Sequence, residues 1–311
     1  MVSEGLANRG DFGDNHGIHR SRVFQMSESP AYFVFDVESV ADPDLVSKVH
    51  FAGRVPAEES VRKYRDELLA LHNSDFIPYT FQIPITIAVA KVAEDFSLIN
   101  LVVIEPEPRS HEIEPESRSR QIDQLSASIC KKFWHCWKEE WKKSTPTLVS
   151  FNGRGFDMPL LELAAFRYGI EIPKWFAMHT KYDQPRSRYN TKAHFDLHDF
   201  LTNHGATRFN GGLNLAASLL GKPGKIDTQG FMVQDMYDAG KLSEINDYCR
   251  CDVLDTYFVF LRTMVLAGNL SLAKEQELVK NTKHWIEQQS ETIPIYRQYL
   301  DNWGDWQNPW E

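Results

Sequence analysis

The chain has 311 residues, of which 42% are hydrophobic, 25% are charged and 12% are aromatic, a composition typical of a globular protein that can bury a sizeable core. No apolar run approaches the roughly 20 residues of a membrane helix, and residues 1–20 lack the apolar core of a secretory signal, so we expect a cytoplasmic protein. The net charge of −9 argues against nonspecific coating of nucleic acid, and the four cysteines form no CxxC pair typical of zinc.

The first part of the chain predicts a tail followed by three strands. Residues 1–29 are rich in Gly, Asn, Asp, Ser and Arg without periodicity, so we expect a disordered or loosely packed tail. Aromatic and β-branched residues predict a buried strand at 31–40, AYFVFDVESV. An amphipathic helix follows at 57–73, and two further strands are predicted at 83–92 and 96–106.

Helices dominate the remainder of the chain. Apolar residues at helical spacing predict helices at 121–143, 158–170, 214–221 and 242–268, and a strand is predicted at 145–153. Residues 181–209 are expected to be largely irregular around a short HFDLHDF element. Three strands, then helix, strand and helix, predict a mixed α/β sheet. We expect one domain at 30–268, followed by a C-terminal helix and Trp-rich tail at 269–311.

Two acids end the first predicted strand. Asp36 and Glu38 follow the apolar run YFVF, and residues i and i+2 of a strand face the same side. Burial of two unpaired carboxylates is costly, and oxygen ligands suit hard divalent cations. A metal role and a pair of exposed acids at the end of the strand are both open from this segment alone.

A third acid follows the next strand, in LVSFNGRGFDMPLL. Asp157 lies between a glycine-containing turn and a helix, where it could meet a metal ion or its water. It could equally cap that helix, with Met158 and Pro159 as the first helical residues. Asn152 could bond the turn backbone or a substrate, and the turn role is favoured.

The third motif lies in the helix at 242–268. Tyr248 and Asp252 are four residues apart, so they share one helix face. Ile245 and Leu254 belong to the apolar side that packs this helix. Taken alone, the pair favours a partly buried Tyr with a capped or paired Asp, so the motif gains weight only from its order with the other two.

Together, the three motifs resemble the DEDD exonuclease superfamily: Asp-x-Glu ends a strand, Asn-x-x-x-Phe-Asp follows a later strand, and Tyr-x-x-x-Asp lies on a late helix. The chain is most similar to the PolB-type branch, predicted 3'–5' exonucleases related to the proofreading domain of family B DNA polymerases. Tyr248 matches the tyrosine variant (DEDDy), whereas the histidine variant would have His at Asp247. The segment 213–225, LNLAASLLGKPGK, also resembles a leucine-rich, GxPGK-like stretch of that branch. The resemblance covers about 31–265.

The resemblance implies an RNase H-like (DnaQ-like) fold, a mixed five-stranded sheet flanked by helices, with a site for two divalent ions, Mg²⁺ or Mn²⁺. It implies that Asp36, Glu38 and Asp252 hold one ion, and that Asp36 and the substrate phosphate hold the second. Asp157 would act directly or through water, and Tyr248 would orient the attacking water. The implied activity is hydrolysis of phosphodiester bonds at single-stranded 3' ends by a two-metal-ion mechanism.

Candidate substrate contacts follow from chemistry near the motifs. Bases of a single strand stack on aromatic rings, for which Phe156 is a candidate, although apolar packing is its favoured role. The clearest basic stretch could contact phosphates, and a merely solvated loop is an open alternative. Its residues are Lys181, Arg186, Arg188, Lys192 and Arg208, with Lys222 and Lys225 as further candidates.

The substrate is expected to be DNA, with no polymerase domain in the same chain and with a separate polymerase or repair partner for any proofreading role. An exoribonuclease, a noncatalytic nucleic-acid-binding module and an RNase H-like endonuclease are the alternatives. The Trp-rich end, DNWGDWQNPWE, could pack on the domain or recruit a partner. Recruitment predicts that deletion of residues 301–311 leaves activity and stability intact, whereas loss of folding indicates packing.

Overall fold

Five strands form one mixed sheet in the order β3-β2-β1-β4-β5 in the computed structural model, which describes residues 29–107, 118–180, 183–224 and 232–311. The strand β1 pairs antiparallel with β2 and parallel with β4, while β2–β3 is antiparallel and β4–β5 is parallel. This arrangement confirms the predicted mixed α/β fold. The tail predicted at 1–29 lies outside the described residues, apart from residue 29. The strands are β1 Tyr32–Ala41, β2 Gln82–Val92, β3 Leu98–Val103, β4 Thr147–Ser150 and β5 His194–Asp196.

Helices occupy both faces of this sheet. The short helix α1 continues directly into a π-helical turn at Val46–His50, and a 3₁₀ turn at Tyr79–Phe81 precedes β2. No helix in the described part of the chain is long and apolar enough to cross a membrane. The helices are α1 Pro43–Leu45, α2 Ala57–His72, α3 Arg118–Trp141, α4 Asp157–Tyr168, α5 Pro173–Phe176, α6 Leu197–Leu201, α7 Gly212–Ser218, α8 Val233–Asp238, α9 Leu242–Leu266, α10 Leu272–Gln289 and α11 Ile295–Asp301.

The alternation of side chains along β1 divides the core into two layers. Phe33, Phe35 and Val37 pack in one layer with residues of α3, α4 and α5. Val34 points to the opposite layer, which is built mainly from α9 together with α7, α10 and α11. Because this alternation has a period of two, Asp36 shares the side of Val34 and faces the α9 layer.

The connection from β1 to β2 forms a small helical unit. A minor core, separate from the two main layers, packs this unit against the end of β1. The buried members of this minor core are Ala41, Val46, Tyr64 and Ile77. Asn73 ends α2 in a left-handed conformation, with φ of 53°, and its N–H donates to the carbonyl of Leu69. This unit therefore extends from the end of β1, the strand that carries the two acids of the first motif.

The chain end packs against the α9 layer. The ring of Trp303 contacts those of Phe258 and Tyr299, with centroids 5.2 and 6.1 Å apart. Gly304 donates its N–H to the carbonyl of Gly221 at 2.8 Å, and a Cβ at Gly221 would lie 2.7 Å from the Gly304 oxygen. The packing interpretation of the Trp-rich end is favoured over an unattached recruiting motif.

Candidate active site

The two acids of the first motif lie where β1 extends past β4. The parallel pairing of these strands ends with Val34 opposite Val149, so the following residues of β1 form the carboxyl edge of the sheet. A register shift against β2 follows Glu38. Carboxylate oxygens of Asp36 and Glu38 and the Sγ of Cys249 all lie within 4.8 Å of one another. The acids predicted to share one face therefore converge.

Asp157 reaches the same edge from the opposite layer. It is the first residue of α4, and Phe156, not Asp157, occupies the N-cap position. The Oδ1 of Asp157 accepts a hydrogen bond from the backbone N–H of Val37 at 3.1 Å, and the side chain is only 5% exposed. The carboxylate thus bridges from the start of α4 to β1 instead of capping its own helix.

A tight turn between β4 and α4 places Asp157 there. Asn152 adopts the left-handed conformation, with φ of 63°, and its carbonyl accepts from the N–H of Gly155 at 3.0 Å. A Cβ on Gly153 would lie 2.2 Å from the Oγ of Ser150 and 3.1 Å from the Oδ2 of Asp157. The turn therefore needs glycine at 153, and the role of Asn152 in the turn is favoured by its backbone conformation.

Asp196, at the end of β5, stabilises this turn through hydrogen bonds to its backbone. It was not among the predicted site residues. Its carboxylate accepts the N–H groups of Asn152 at 3.0 Å and Arg154 at 2.8 Å. It also caps α6 by accepting the N–H groups of His198 and Asp199. The only sequence signal was an Asp that ends a short strand before a helix, which is typical of a cap.

The helix α9, in the layer that Val34 faces, carries the third motif. Tyr248 and Asp252 are both largely buried and lie one turn apart on the helix face that meets β1. The Sγ of Cys249 lies 3.6 Å from the Oδ2 of Asp36 and 3.5 Å from its carbonyl oxygen. On β2, Thr86 donates its hydroxyl to the Oδ1 of Asn246 at 2.8 Å and so fixes this end of α9 to the sheet.

The charges of the first motif shift the pKa values of residues in the second and third motifs. Burial, and then the charge of Asp36, raises the pKa of Asp157 well above its usual range. Burial also raises the pKa of the Tyr248 hydroxyl, as do the charges of Asp252, Glu38 and Asp36. The site therefore carries an excess of negative charge that destabilises the ionised forms of its own residues.

This donor set fits a hard divalent cation. Asp36 and Glu38 offer carboxylate oxygens at a mutual distance suited to one ion, and Asp157 and Asp252 add two further carboxylates to the same electrostatic cluster. Cys249 is the one sulfur atom of the set, and burial raises the pKa of its thiol well above the usual range. Carboxylate oxygens outnumber this sulfur, and hard divalent cations such as Mg²⁺ and Mn²⁺ prefer oxygen ligands.

The predicted substrate contacts fall into two groups. Phe156 is half-buried, and its ring centroid lies 5.7 Å from that of Phe76, which sequence reasoning did not select. Arg186 pairs with Glu162 at 2.9 Å, and Arg188 pairs with Asp199 at 3.1 Å. These ion pairs give both arginines a structural role. The side chains of Lys192 and Arg208 are exposed.

The remaining basic candidates differ in setting. Lys222 is buried, with its Nζ 3.9 Å from the centroid of the Trp303 ring, and burial lowers its pKa to about 8. It therefore packs beneath the chain end instead of facing a substrate phosphate. Lys181 and Lys225 lie outside the described residues.

Comparison with known proteins places the second and third motifs within a family match, while Asp36 and Glu38 precede it. A search of curated proteins finds no match. A family model described as a predicted 3'–5' exonuclease related to the exonuclease domain of PolB matches residues 74–303. The match includes Asp157, Tyr248 and Asp252, begins after β1, and continues through α11, beyond the 31–265 span of the resemblance. Because it covers more than half of the chain, the chain belongs to this family of predicted 3'–5' exonucleases.

Proposed function

We propose that this protein is a metal-dependent 3'–5' exonuclease that hydrolyses phosphodiester bonds at single-stranded 3' ends of DNA. The observation that carries the proposal is the convergence of Asp36, Glu38 and Asp157 with Tyr248 and Asp252 at one edge of the sheet. Membership of a family related to the exonuclease domain of PolB supports DNA as the substrate.

The acids would hold the ions that this chemistry needs. Asp36, Glu38 and Asp252 would bind one divalent ion, and Asp36 would share a second with the substrate phosphate, assisted by Asp157. Divalent ions in such a site lower the pKa of a water molecule and neutralise the charge that develops on the phosphate. The excess negative charge of the cluster provides the attraction for them.

Tyr248 would orient the attacking water without removing its proton. A tyrosine hydroxyl, whose ordinary pKa is about 10, is protonated at physiological pH, and burial raises the pKa of this one further, so it can donate a hydrogen bond. Its ring packs in the cluster with Ile245 and Val40, which fixes the direction of the hydroxyl.

Degradation of end-labelled oligonucleotides tests the proposal. We expect wild-type protein to produce a ladder that starts at the 3' end of single-stranded DNA with Mg²⁺ or Mn²⁺ and to produce none in EDTA. Asp157→Ala should abolish the ladder. Tyr248→Phe should retain part of it, because loss of a hydrogen bond to a charged group costs about 1.5–3 kcal/mol, which corresponds to a roughly ten- to hundredfold loss of rate.

Matched substrates separate the alternatives. An RNA oligonucleotide of the same sequence distinguishes an exoribonuclease, and a closed circular strand, which has no 3' end, distinguishes an endonuclease. If Asp157→Ala degraded ends as fast as the wild type, the assignment of the acids would be wrong. Binding without cleavage under every metal condition would contradict the enzyme and favour a binding module.

A further inference from the structure

The connection between β1 and β2 is far longer than the pairing of the two strands requires. These strands are antiparallel neighbours, for which a two-residue turn suffices. The chain instead builds α1, α2 and a minor core between them, and returns to the sheet at Gln82. This unit follows the strand that carries Asp36 and Glu38, and its residue Phe76 contacts Phe156, the neighbour of Asp157.

One aromatic residue of this connection is exposed. Phe76 is 55% exposed, whereas Tyr64 of the same unit is buried in the minor core. The ring of Phe76 contacts Phe156 at a centroid distance of 5.7 Å and an angle of 54°. Phe156 directly precedes Asp157, so this ring pair adjoins the acids. Phe76 is not a member of the minor core, so packing of that core does not explain an aromatic residue at this position.

The segment that carries Phe76 is fixed. Arg65 of α2 donates to the Oδ2 of Asp75 from Nε at 2.9 Å and from Nη2 at 2.6 Å. The same guanidinium donates to Asp235 of α8 at 2.8 Å. The neighbouring Gln234 accepts the N–H of Ala41, the last residue of β1, at 2.8 Å. Because these bonds hold the segment before any ligand arrives, the ring of Phe76 is preorganised.

A small polar-edged cavity lies beside the ring. It has a volume of about 50 Å³ and is lined by residues that include Ser39, Arg65, Phe76 and Gln234. Ser39 directly follows Glu38 on β1, so the cavity borders the same strand that carries the acids. An aromatic face and polar groups close to a metal-binding edge are the features that a nucleotide needs, since every base has a π-face and every sugar has hydroxyl or ether oxygens.

We propose that Phe76 is a specificity residue of this enzyme: its exposed ring, beside Phe156, stacks on a base within the last two nucleotides of a single-stranded 3' end. This inference rests on the proposed exonuclease function. Bases within a duplex are already stacked and paired, so an aromatic platform here selects ends that are single-stranded. The β1–β2 connection is then a wall of the substrate cleft.

Binding without cleavage is the direct test. An oligonucleotide that carries 2-aminopurine at its last or penultimate position reports stacking by quenching of fluorescence, and EDTA prevents hydrolysis. We expect Phe76→Ala to weaken binding about five- to hundredfold, since one base stack of this kind is worth that much. Phe76→Trp should restore binding because it retains an aromatic face.

The matched control is Phe166→Ala. Phe166 is 86% exposed and lies about 13 Å along α4 from Asp157, at 1.5 Å per residue, so its removal should leave binding unchanged. Because Phe76 and Phe166 are both exposed, neither substitution should alter the melting temperature appreciably. With Mg²⁺, Phe76→Ala should raise KM more than it lowers kcat.

Abasic substrates make the test specific to stacking. If Phe76 stacks on a base, the loss caused by Phe76→Ala should vanish when that base is removed from one of the last two positions, and should persist when a more distant base is removed. Equal binding by wild type and Phe76→Ala, together with normal degradation, would overturn the inference and leave the exonuclease intact. Absence of both binding and degradation in the wild type would overturn both.

Discussion

Asp157 joins the two layers of the protein at a single carboxylate. It begins a helix of one layer, accepts the N–H of Val37 in the central strand, and repels Asp36, which faces the other layer. Its hydrogen bond favours the ionised form, whereas burial and the neighbouring charge oppose it more strongly. Without cations, this residue is therefore held at a cost to stability.

That cost predicts a pH dependence of the metal-free protein. The unfolded pKa of Asp is about 3.9 and the folded pKa is raised, so the folded protein retains a proton that the unfolded chain releases. The free energy of unfolding should fall as the pH rises from about 4 to the raised pKa, by at most about 1.4 kcal/mol per pH unit. Asp157→Asn should flatten this slope and stabilise the metal-free protein at neutral pH.

Urea unfolding in EDTA between pH 4.5 and 7.5 measures how the free energy of unfolding changes with pH in the wild type and in Asp157→Asn. Asp255 has a raised pKa of its own, for which burial is the main cause, and it remains in both proteins, so the difference between them isolates the contribution of Asp157. Identical slopes for the variant and the wild type would contradict the prediction. Addition of Mg²⁺ should stabilise the wild type more than Asp157→Asn, since bound ligand stabilises the folded state.

At the level of elements, the sequence supports those predictions that depend on periodicity. A period of two correctly gives Asp36 and Glu38 a common side of β1, and a spacing of four gives Tyr248 and Asp252 a common side of α9. The long helices and the strands β1 to β4 are also where hydrophobic patterns predict them, whereas β5 lies in the stretch 181–209 that was expected to be largely irregular. Local chemistry was sufficient here because each element carries its own buried face.

Features that depend on tertiary contact were not predictable in the same way. Asp196 supports the turn before Asp157 through backbone N–H groups that are distant in sequence. Phe76 becomes a neighbour of Phe156 only when the β1–β2 connection folds against α4. The spacing of the cysteines indicates no metal site, and only the packing of α9 on β1 brings the sulfur of Cys249 to Asp36. No periodic pattern marks such residues.

The turn between β4 and α4 offers a test at this scale. A methyl group at Gly153 would meet Ser150 and the carboxylate of Asp157, so Gly153→Ala should destabilise the protein by about 1–3 kcal/mol and displace Asp157. Gly155→Ala is the matched control, because its Cβ would crowd only the side-chain oxygen of Asn152, at 2.9 Å, which can rotate away, and would lie at an ordinary contact distance of 3.4 Å from the backbone oxygen of Asn152. In urea unfolding and in the exonuclease assay, the stability and activity of Gly155→Ala should be closer to those of the wild type than the values for Gly153→Ala. Equal losses in the two variants would contradict this role for Gly153.

On the scale of the whole molecule, the C-terminal segment completes the layer that supports α9. Tyr299 is fully buried and donates its hydroxyl to Asp255 at 2.6 Å, one turn beyond Asp252. Trp303 then covers Phe258 and Lys222. The family match runs to residue 303 and so includes α10 and α11.

Two truncations distinguish packing from recruitment at the chain end. Removal of 302–311 deletes Trp303, the Gly304–Gly221 hydrogen bond and the stacking of Trp306 on Arg262, at 4.2 Å. We expect a loss of about 2–4 kcal/mol of stability, since a half-buried Trp and a cation–π contact are lost together. Removal of 308–311 deletes only an end whose Trp310 is 83% exposed, and it should leave the melting temperature and the nuclease activity unchanged. Thermal unfolding of both truncated proteins measures the difference in stability. If the protein lacking 302–311 were as stable as the wild type, the packing of Trp303 would contribute nothing to stability. Recruitment of a partner would then be the favoured role of this segment.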